Sequence, residues 1–308
     1  YFSELEKIYR EKNILVESNG AEIVEVSEET DKAEIPPLLF IKSNGTISYE
    51  TTDLATLLQR RKEYDPDEVW YVVDGRQELH FEQVFRATRK AELVRPDTKL
   101  EFIGFGTMNG QDGKPFKTRD GGVMTLKSLI DLIHNETRKK ITNESISEDE
   151  KEKISETVAI AALKYADFLP FRATDYVFEP EKFADLEGKT GPYLLYSTIR
   201  MKSLLNKASG LKYEKVHKFK GKTEGELALT ILNLPNIIEK AIDTKSMNEI
   251  TEYLYNITSL YNKFYSENKV LTEEDTELKE SWLVLTKVVY NINTLLLNTL
   301  GIEVPEKM

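Results

Sequence analysis

Tyr49 and Asp53 stand four residues apart, where an apolar run gives way to a stretch with helical spacing. A carboxylate with a phenol one turn away suits a guanidinium, which asks for acceptors in its plane. An aspartate at a helix start also serves as a cap, which is its ordinary use. Residues 74–81, DGRQELHF, follow an apolar run ending at Asp74. Gln77 there can orient a polar substrate, and His80 can approach a phosphate or a ribose. A structural or exposed histidine is the plainer alternative. Residues 104–119, GFGTMNGQDGKPFKTR, combine two glycine-rich turns with the cations Lys114, Lys117 and Arg119. Such a loop can stabilise charge on transferring phosphates. It is not the GxxxxGK[ST] phosphate loop, whose glycine spacing differs. Lysines in a surface turn are the bland alternative.

A second set of residues points to nucleic acid. Between residues 200 and 222 the basic residues are Arg200, Lys202, Lys207, Lys212, Lys215, Lys218, Lys220 and Lys222, against the single acid Glu214. Such a stretch can track phosphates, or it can be a solvated face. Tyr193, Tyr196 and Arg200 fall at i, i+3 and i+7 on one helical face. Tyr265 and Met308 can join them in space. Single-stranded loops are read by splaying bases onto aromatic rings and guanidinium planes. Core packing is the competing use, above all for Tyr196.

These residues need elements to hold them. Residues 38–42 (LLFIK), 69–74 (VWYVVD) and 99–105 (KLEFIGF) read as buried strands. Residues 51–62 read as a helix capped by Thr51 or Thr52, and residues 78–92 as an amphipathic helix. The order β-α-β-α-β implies a parallel sheet, which binds ligands beyond the carboxyl ends of its strands. Residues 19–37 read as a hairpin or loop ended by Pro36-Pro37. Beyond Thr125 the pattern is helical. Ser147-x-x-Glu150, Thr223-x-x-Glu226 and Ser246-x-x-Glu249 resemble helix-opening signals, as does Thr272-x-x-Asp275. Pro192 suits a first helical turn, and Gly301 a residue just past a helix end. The fold class is therefore α/β plus all-α. The division falls near residue 127: an α/β unit over 1–127 and a helix bundle over 128–308.

Composition bounds the chemistry. The chain has 308 residues, 40% of them hydrophobic, enough for about two domains with real cores. With Cys 0 there are no disulfides and no thiolate metal site or nucleophile. Only three histidines occur, His80, His134 and His217, widely spaced, so no metal site is expected. No apolar run reaches membrane-spanning length and the first residues lack a signal core, so no membrane partner is expected and a cytoplasmic setting fits. Net charge −11 disfavours indiscriminate nucleic-acid binding, and DNA is not expected as a partner.

Three segments, GTISYETTDLA, VVDGRQELHFEQVF and FGTMNGQDGKPFKTRDGG, resemble the class I arginyl-tRNA synthetases in this order and spacing. ALKYADFLPFRATDYVFEPEKF, GKTGPYLLYSTIR and the terminal LGIEVPEKM continue the resemblance, which runs from about residue 14 to Met308. It implies the second half of a Rossmann-like nucleotide-binding sheet followed by an anticodon-binding helix bundle. The implied activity is ATP-dependent attachment of arginine to its tRNA through arginyl-adenylate, with Mg²⁺ accompanying the nucleotide; a monomer is expected, though the sequence itself does not set the oligomeric state.

The resemblance also implies roles. Tyr49, Asp53 and Gln77 match the arginine pocket. His80, Gln83, Gly106 and Met108 fall in segments bordering ATP. KPFKT resembles the mobile KMSKS loop, with Lys114 at its first lysine and Lys117 at the second, which contacts ATP phosphates; Pro115 and Phe116 depart from the pattern. Tyr193, Tyr196, Arg200, Tyr265 and Met308 match residues that hold the anticodon loop, while the acceptor end would reach the catalytic half. No HIGH-like signature occurs, and His80 is followed by Phe-Glu-Gln. The expectation is a C-terminal portion, inactive alone. The alternatives are a non-enzymatic tRNA- or RNA-binding module, or an unrelated α/β nucleotide binder with a helical domain.

Overall fold

The computed structural model describes residues 1–110, 113–114, 125–140 and 147–308. They form two compact units, Tyr1–Gly106 and Thr107–Met308.

The first unit begins with helix α1 (Phe2–Glu11), whose Leu5 and Tyr9 are buried. Strands β1 (Leu15–Ser18) and β2 (Ala21–Val24) form a hairpin. Its two-residue turn, Asn19-Gly20, has φ of 50° and 77°, the left-handed conformation that matches strand twist and favours these residues. Strand β3 (Leu38–Ile41) adds antiparallel to β2. Helix α2 (Tyr49–Glu63) follows, capped by the Ser48 hydroxyl, which accepts from the Thr51 amide at 3.2 Å. Next come β4 (Glu68–Asp74), a 3-10 turn (Gly75–Gln77), α3 (Glu78–Ala91) and β5 (Lys99–Phe105). Strands β4 and β5 pair in parallel from Glu68↔Lys99 to Asp74↔Phe105. Phe40, Leu54, Leu57, Phe81, Val84 and Ala87 share one core with Leu5 and Tyr9.

Two expectations change here. The strand at residues 38–42 does not join the parallel sheet; it completes an antiparallel meander, order β1-β2-β3. The hairpin ahead of it supplies a ladder partner nearer in sequence than β4, and strand order alone does not reveal which edge is occupied. The α2 cap is Ser48, three residues before the expected Thr51. The Thr51 hydroxyl instead donates to the Phe40 carbonyl at 2.5 Å, tying the helix start to β3.

In the second unit β6 (Met108–Asn109) pairs in parallel with β7 (Tyr176–Val177). Helices α4 (Leu126–Lys140), α5 (Glu148–Phe168) and α6 (Pro180–Phe183) pack beside it. The bundle proper comprises α7 (Gly191–Lys207), α8 (Lys222–Leu232), α9 (Leu234–Thr244), α10 (Asn248–Glu267) and α11 (Thr276–Thr299). Tyr165, Leu194, Met201, Leu254, Phe264 and Trp282 sit in its core. The boundary near residue 127 marks where helical patterning begins. The boundary between the compact units falls earlier, between Gly106 and Thr107, because β6 is held by β7 from beyond α5.

Helix ends decide where side chains point. Ser147 accepts from the Glu150 amide as its spacing implies, and Pro192 lies in the first turn of α7. Gly301, at φ 67°, donates to Asn298, while Ile302 donates to Leu297; together they close α11. Two openings differ. For α8 the carboxylate is Glu224, which accepts from the Gly221 amide at 2.6 Å. The Ser246 hydroxyl caps nothing and instead accepts from the Arg172 amide at 3.2 Å.

Candidate functional site

Asp53 lies one turn inside α2, and His80 at the start of α3, directly past the carboxyl end of β4. His80 donates through Nε2 to Asp53 Oδ2 at 2.7 Å. Its Nδ1 lies 3.9 Å from Glu50 Oε1. The hydrogen bond to Asp53 raises the His80 pKa above its ordinary value, and partial burial opposes this. So Asp53 is not a helix cap. It is a carboxylate held by an imidazole, with Glu50 three residues away on the same helical face. Tyr49, the first residue of α2, is 84% exposed, and Gln77 is exposed at the end of the 3-10 turn. Both are open to a ligand.

The residues expected near ATP are spread over both units. His80 is engaged by Asp53. Gln83 donates its amide to the Pro36 carbonyl at 2.7 Å, pinning the chain ahead of β3 to α3. Gly106 follows β5. Close by, a Cβ on Gly104 would lie 2.7 Å from the Phe102 ring and 3.1 Å from the Gly75 Cα, so the ends of β4 and β5 approach glycine to glycine. In the second unit Met108 packs against the cluster of Leu129, Ile133 and Phe178. Lys114 is exposed, and its carbonyl accepts from the Gly110 amide at 2.9 Å in a turn with Gly113 at φ 72°. Lys117 lies outside the described residues.

The bundle brings four of the five expected RNA-facing residues into one cluster on α7 and α10. Arg200 lies over two rings, 4.9 Å from the Tyr265 centroid and 5.7 Å from that of Tyr196. Arg200 Nη2 donates to Asn262 Oδ1. Asn262 Nδ2 donates to the Tyr193 hydroxyl and to Ser197 Oγ, each at 2.9 Å. Tyr265 stacks on the buried Tyr261, and Tyr193 meets Tyr255 at 5.8 Å. Tyr196 is 46% exposed, so it is not a core tyrosine. Met308 packs, partly buried, on the bundle core. Asn262 and Glu50 were not singled out by the sequence. A helical-face reading of α10 anchored on Tyr265 finds Asn262 three residues before it.

The basic stretch is less uniform than its composition. Lys202 pairs with Glu306, Lys218 with Asp275 at 2.6 Å, Lys220 with Glu273 at 3.8 Å and Lys222 with Glu226 at 2.9 Å. Lys207, Lys212 and Lys215 are exposed.

Residues 1–180 match the family described as tRNA synthetases class I (R), catalytic domain. The chain belongs to the class I arginyl-tRNA synthetase family. Residues 194–308 match the DALR anticodon binding domain. The arginine–tRNA ligase of Alkaliphilus oremlandii is 44% identical over 295 residues, covering 94% of this chain and 50% of that protein. That of Agathobacter rectalis is 41% identical, covering 100% of this chain and 54% of the relative. The chain thus spans about half the length of the curated relatives it matches. The arginyl-tRNA synthetase structure from Plasmodium falciparum superposes with a TM-score of 0.81 at 26% identity, covering 100% of this chain and 52% of that one. The Thermus thermophilus arginyl-tRNA synthetase gives 0.84 at 21% identity, with 100% and 58% covered, a likeness of fold. The catalytic-domain match extends past residue 127 to residue 180, so α4 and α5 match the catalytic family while packing within the second unit.

Proposed function

We propose that the chain supplies arginine recognition, ATP contacts and anticodon recognition to an arginine–tRNA ligase. The observation that carries this is the succession, in one chain, of the class I (R) catalytic-domain match and the anticodon-binding match. In the parent reaction the arginine carboxylate attacks the α-phosphate of ATP. Arginyl-adenylate and pyrophosphate form, and the arginyl group then passes to the terminal ribose of tRNA. A carboxylate nucleophile needs no general base, so positioning and phosphate stabilisation dominate.

In this scheme Asp53 receives the substrate guanidinium, with Tyr49 and Gln77 completing its acceptors. The incoming cation replaces His80 as the charged partner of Asp53, and a planar fork binds a carboxylate better than an ammonium does. The resemblance assigns Lys114 and Lys117 to the ATP phosphates, and His80, Gln83, Gly106 and Met108 to contacts with the nucleotide. Mg²⁺ travels with ATP on its phosphates. Among the described residues no group of three or more His, Cys, Asp or Glu could hold a metal ion. No helix among them is long and apolar enough to cross a membrane. A cytoplasmic monomer that binds tRNA and not DNA completes the proposal. Alone, the 308 residues are proposed to be inactive in adenylation.

The test is ligand-dependent thermal stabilisation. Arginine in large excess should raise the unfolding midpoint, because a ligand binding only the folded state stabilises it by mass action. Lysine and citrulline should raise it less, and Asp53→Asn should abolish the difference. Equal shifts for all three ligands would remove Asp53 from the arginine pocket.

A further inference from the structure

We infer that Asn262 is the positioning residue of the α7–α10 cluster: it fixes Arg200 and Tyr193 in the arrangement that receives an unstacked RNA base. The inference rests on the proposed anticodon role of the bundle. One carboxamide serves three residues of α7. Its oxygen accepts from Arg200 Nη2, and its nitrogen donates both hydrogens, one to Tyr193 and one to Ser197. The orientation is not reversible. A guanidinium only donates, so a flipped amide would set donor against donor.

The consequence for Arg200 is a held plane. Among the described residues its Nε is buried without a hydrogen-bond partner, so the side chain is not at its own hydrogen-bonding optimum. Asn262 and the rings of Tyr196 and Tyr265 hold it there. Released from Asn262, the guanidinium can turn to satisfy Nε, away from its place over the two rings. The consequence for Tyr193 is polarity. Because its oxygen accepts from Asn262, its own proton is left to donate to a base or phosphate acceptor. Planar groups fixed before binding lower the ordering cost of capturing a flexible loop.

The experiment measures binding of the 308-residue chain to an arginine-accepting tRNA transcript and to a tRNA for another amino acid. The proteins are Asn262→Ala, Asn262→Asp, Arg200→Ala, Tyr265→Ala and the double variant Arg200→Ala/Asn262→Ala. Asn262→Ala should weaken arginine-accepting tRNA roughly tenfold, and should cost under about twofold once Arg200 is gone, the non-additivity of residues acting as one unit. Asn262→Asp keeps the acceptor for Arg200 and loses both donations, so its loss should be intermediate. It also tests the inference should Asn262→Ala fold poorly. Unfolding midpoints are measured for every protein, and binding is compared below all of them. If Arg200→Ala loses binding while a folded Asn262→Ala or Asn262→Asp does not, the positioning role is overturned and the anticodon reading survives. Fully additive losses in the double variant overturn it equally. If Arg200→Ala and Tyr265→Ala both bind as the unmutated chain does, the anticodon reading itself fails.

Discussion

His80 and Asp53 are 27 residues apart in sequence and 2.7 Å apart in space. That proximity converts a candidate cap into a charged pair whose strength depends on pH. The His80 pKa is raised, first by the hydrogen bond to Asp53 and further by the Asp53 and Glu50 charges, while burial opposes. On its other side the ring meets the edge of Phe81, which adds no charge. Because the folded pKa lies above the ordinary value of 6.5, the contact contributes fully below that value. The contribution is lost as pH rises through the folded pKa. Asp53→Asn should therefore move the His80 midpoint down toward its ordinary value, measured by NMR of the imidazole protons. An unchanged midpoint would mean that Asp53 does not set the charge state of His80. The sequence left Asp53 between a helix cap and a guanidinium acceptor, and the hydrogen bond to His80 removes the cap. Its imidazole partner was not legible, since nothing local to Asp53 signals a residue on another helix.

Helix starts were legible where the cap acts on its own helix, as at Ser147. They were misplaced where a hydroxyl serves a neighbouring segment, as Ser246 serves Arg172. Gly191 illustrates the same divide. The Gly191-Pro192 pair reads correctly as a helix opening, but the demand for glycine comes from α5. A Cβ at residue 191 would lie 2.3 Å from the Ala161 carbonyl oxygen and 2.5 Å from its carbon. Backbone atoms of a helix interior cannot move aside cheaply. Gly191→Ala should therefore destabilise the second unit despite alanine's better helix propensity, by about 1–3 kcal/mol as overpacking usually costs. Urea unfolding followed by far-ultraviolet circular dichroism measures it, and an unchanged or raised midpoint would show that α7 can slide on α5. The parallel sheet has the same lesson at the scale of strands. Residues 69–74 and 99–105 were legible as strands and pair as expected, whereas residues 38–42 were legible as a strand but not as part of a meander. An apolar run reports a strand, and a strand does not name its neighbour.

Across the whole chain, 53 acidic residues against 42 basic ones leave a net charge of −11, so the electrostatic share of any RNA affinity must come from local cations that acids do not already neutralise. Family membership was legible at this scale, because several long motifs in one order are far more specific than any single residue. The division of labour among the lysines of residues 200–222 was not, because their acids come from α8, the segment leading into α11 and the C-terminal tail. Lys218 and Lys222 are held by Asp275 and Glu226. Lys207, Lys212 and Lys215 are exposed. Among the described residues only the second group lacks an ion pair, so only it can neutralise phosphates, and release their condensed counterions, without first breaking one. Changing Lys207, Lys212 and Lys215 together to glutamine should weaken every tRNA alike. It should also lower the log–log salt slope of binding by about 2–3, at roughly 0.7–0.9 for each phosphate that is no longer neutralised. Changing Lys218 and Lys222 to glutamine should alter the slope by less than about 1, since their charge is already balanced within the protein. Fluorescence anisotropy titrations between about 50 and 200 mM salt separate the two sets. The discriminating comparison is with Tyr265→Ala, which should leave the slope in place and narrow the gap between arginine-accepting and other tRNAs. A slope that falls with Lys218 and Lys222 and not with Lys207, Lys212 and Lys215 would place the phosphate track at the start of α8 and the segment just before it, away from residues 207–215.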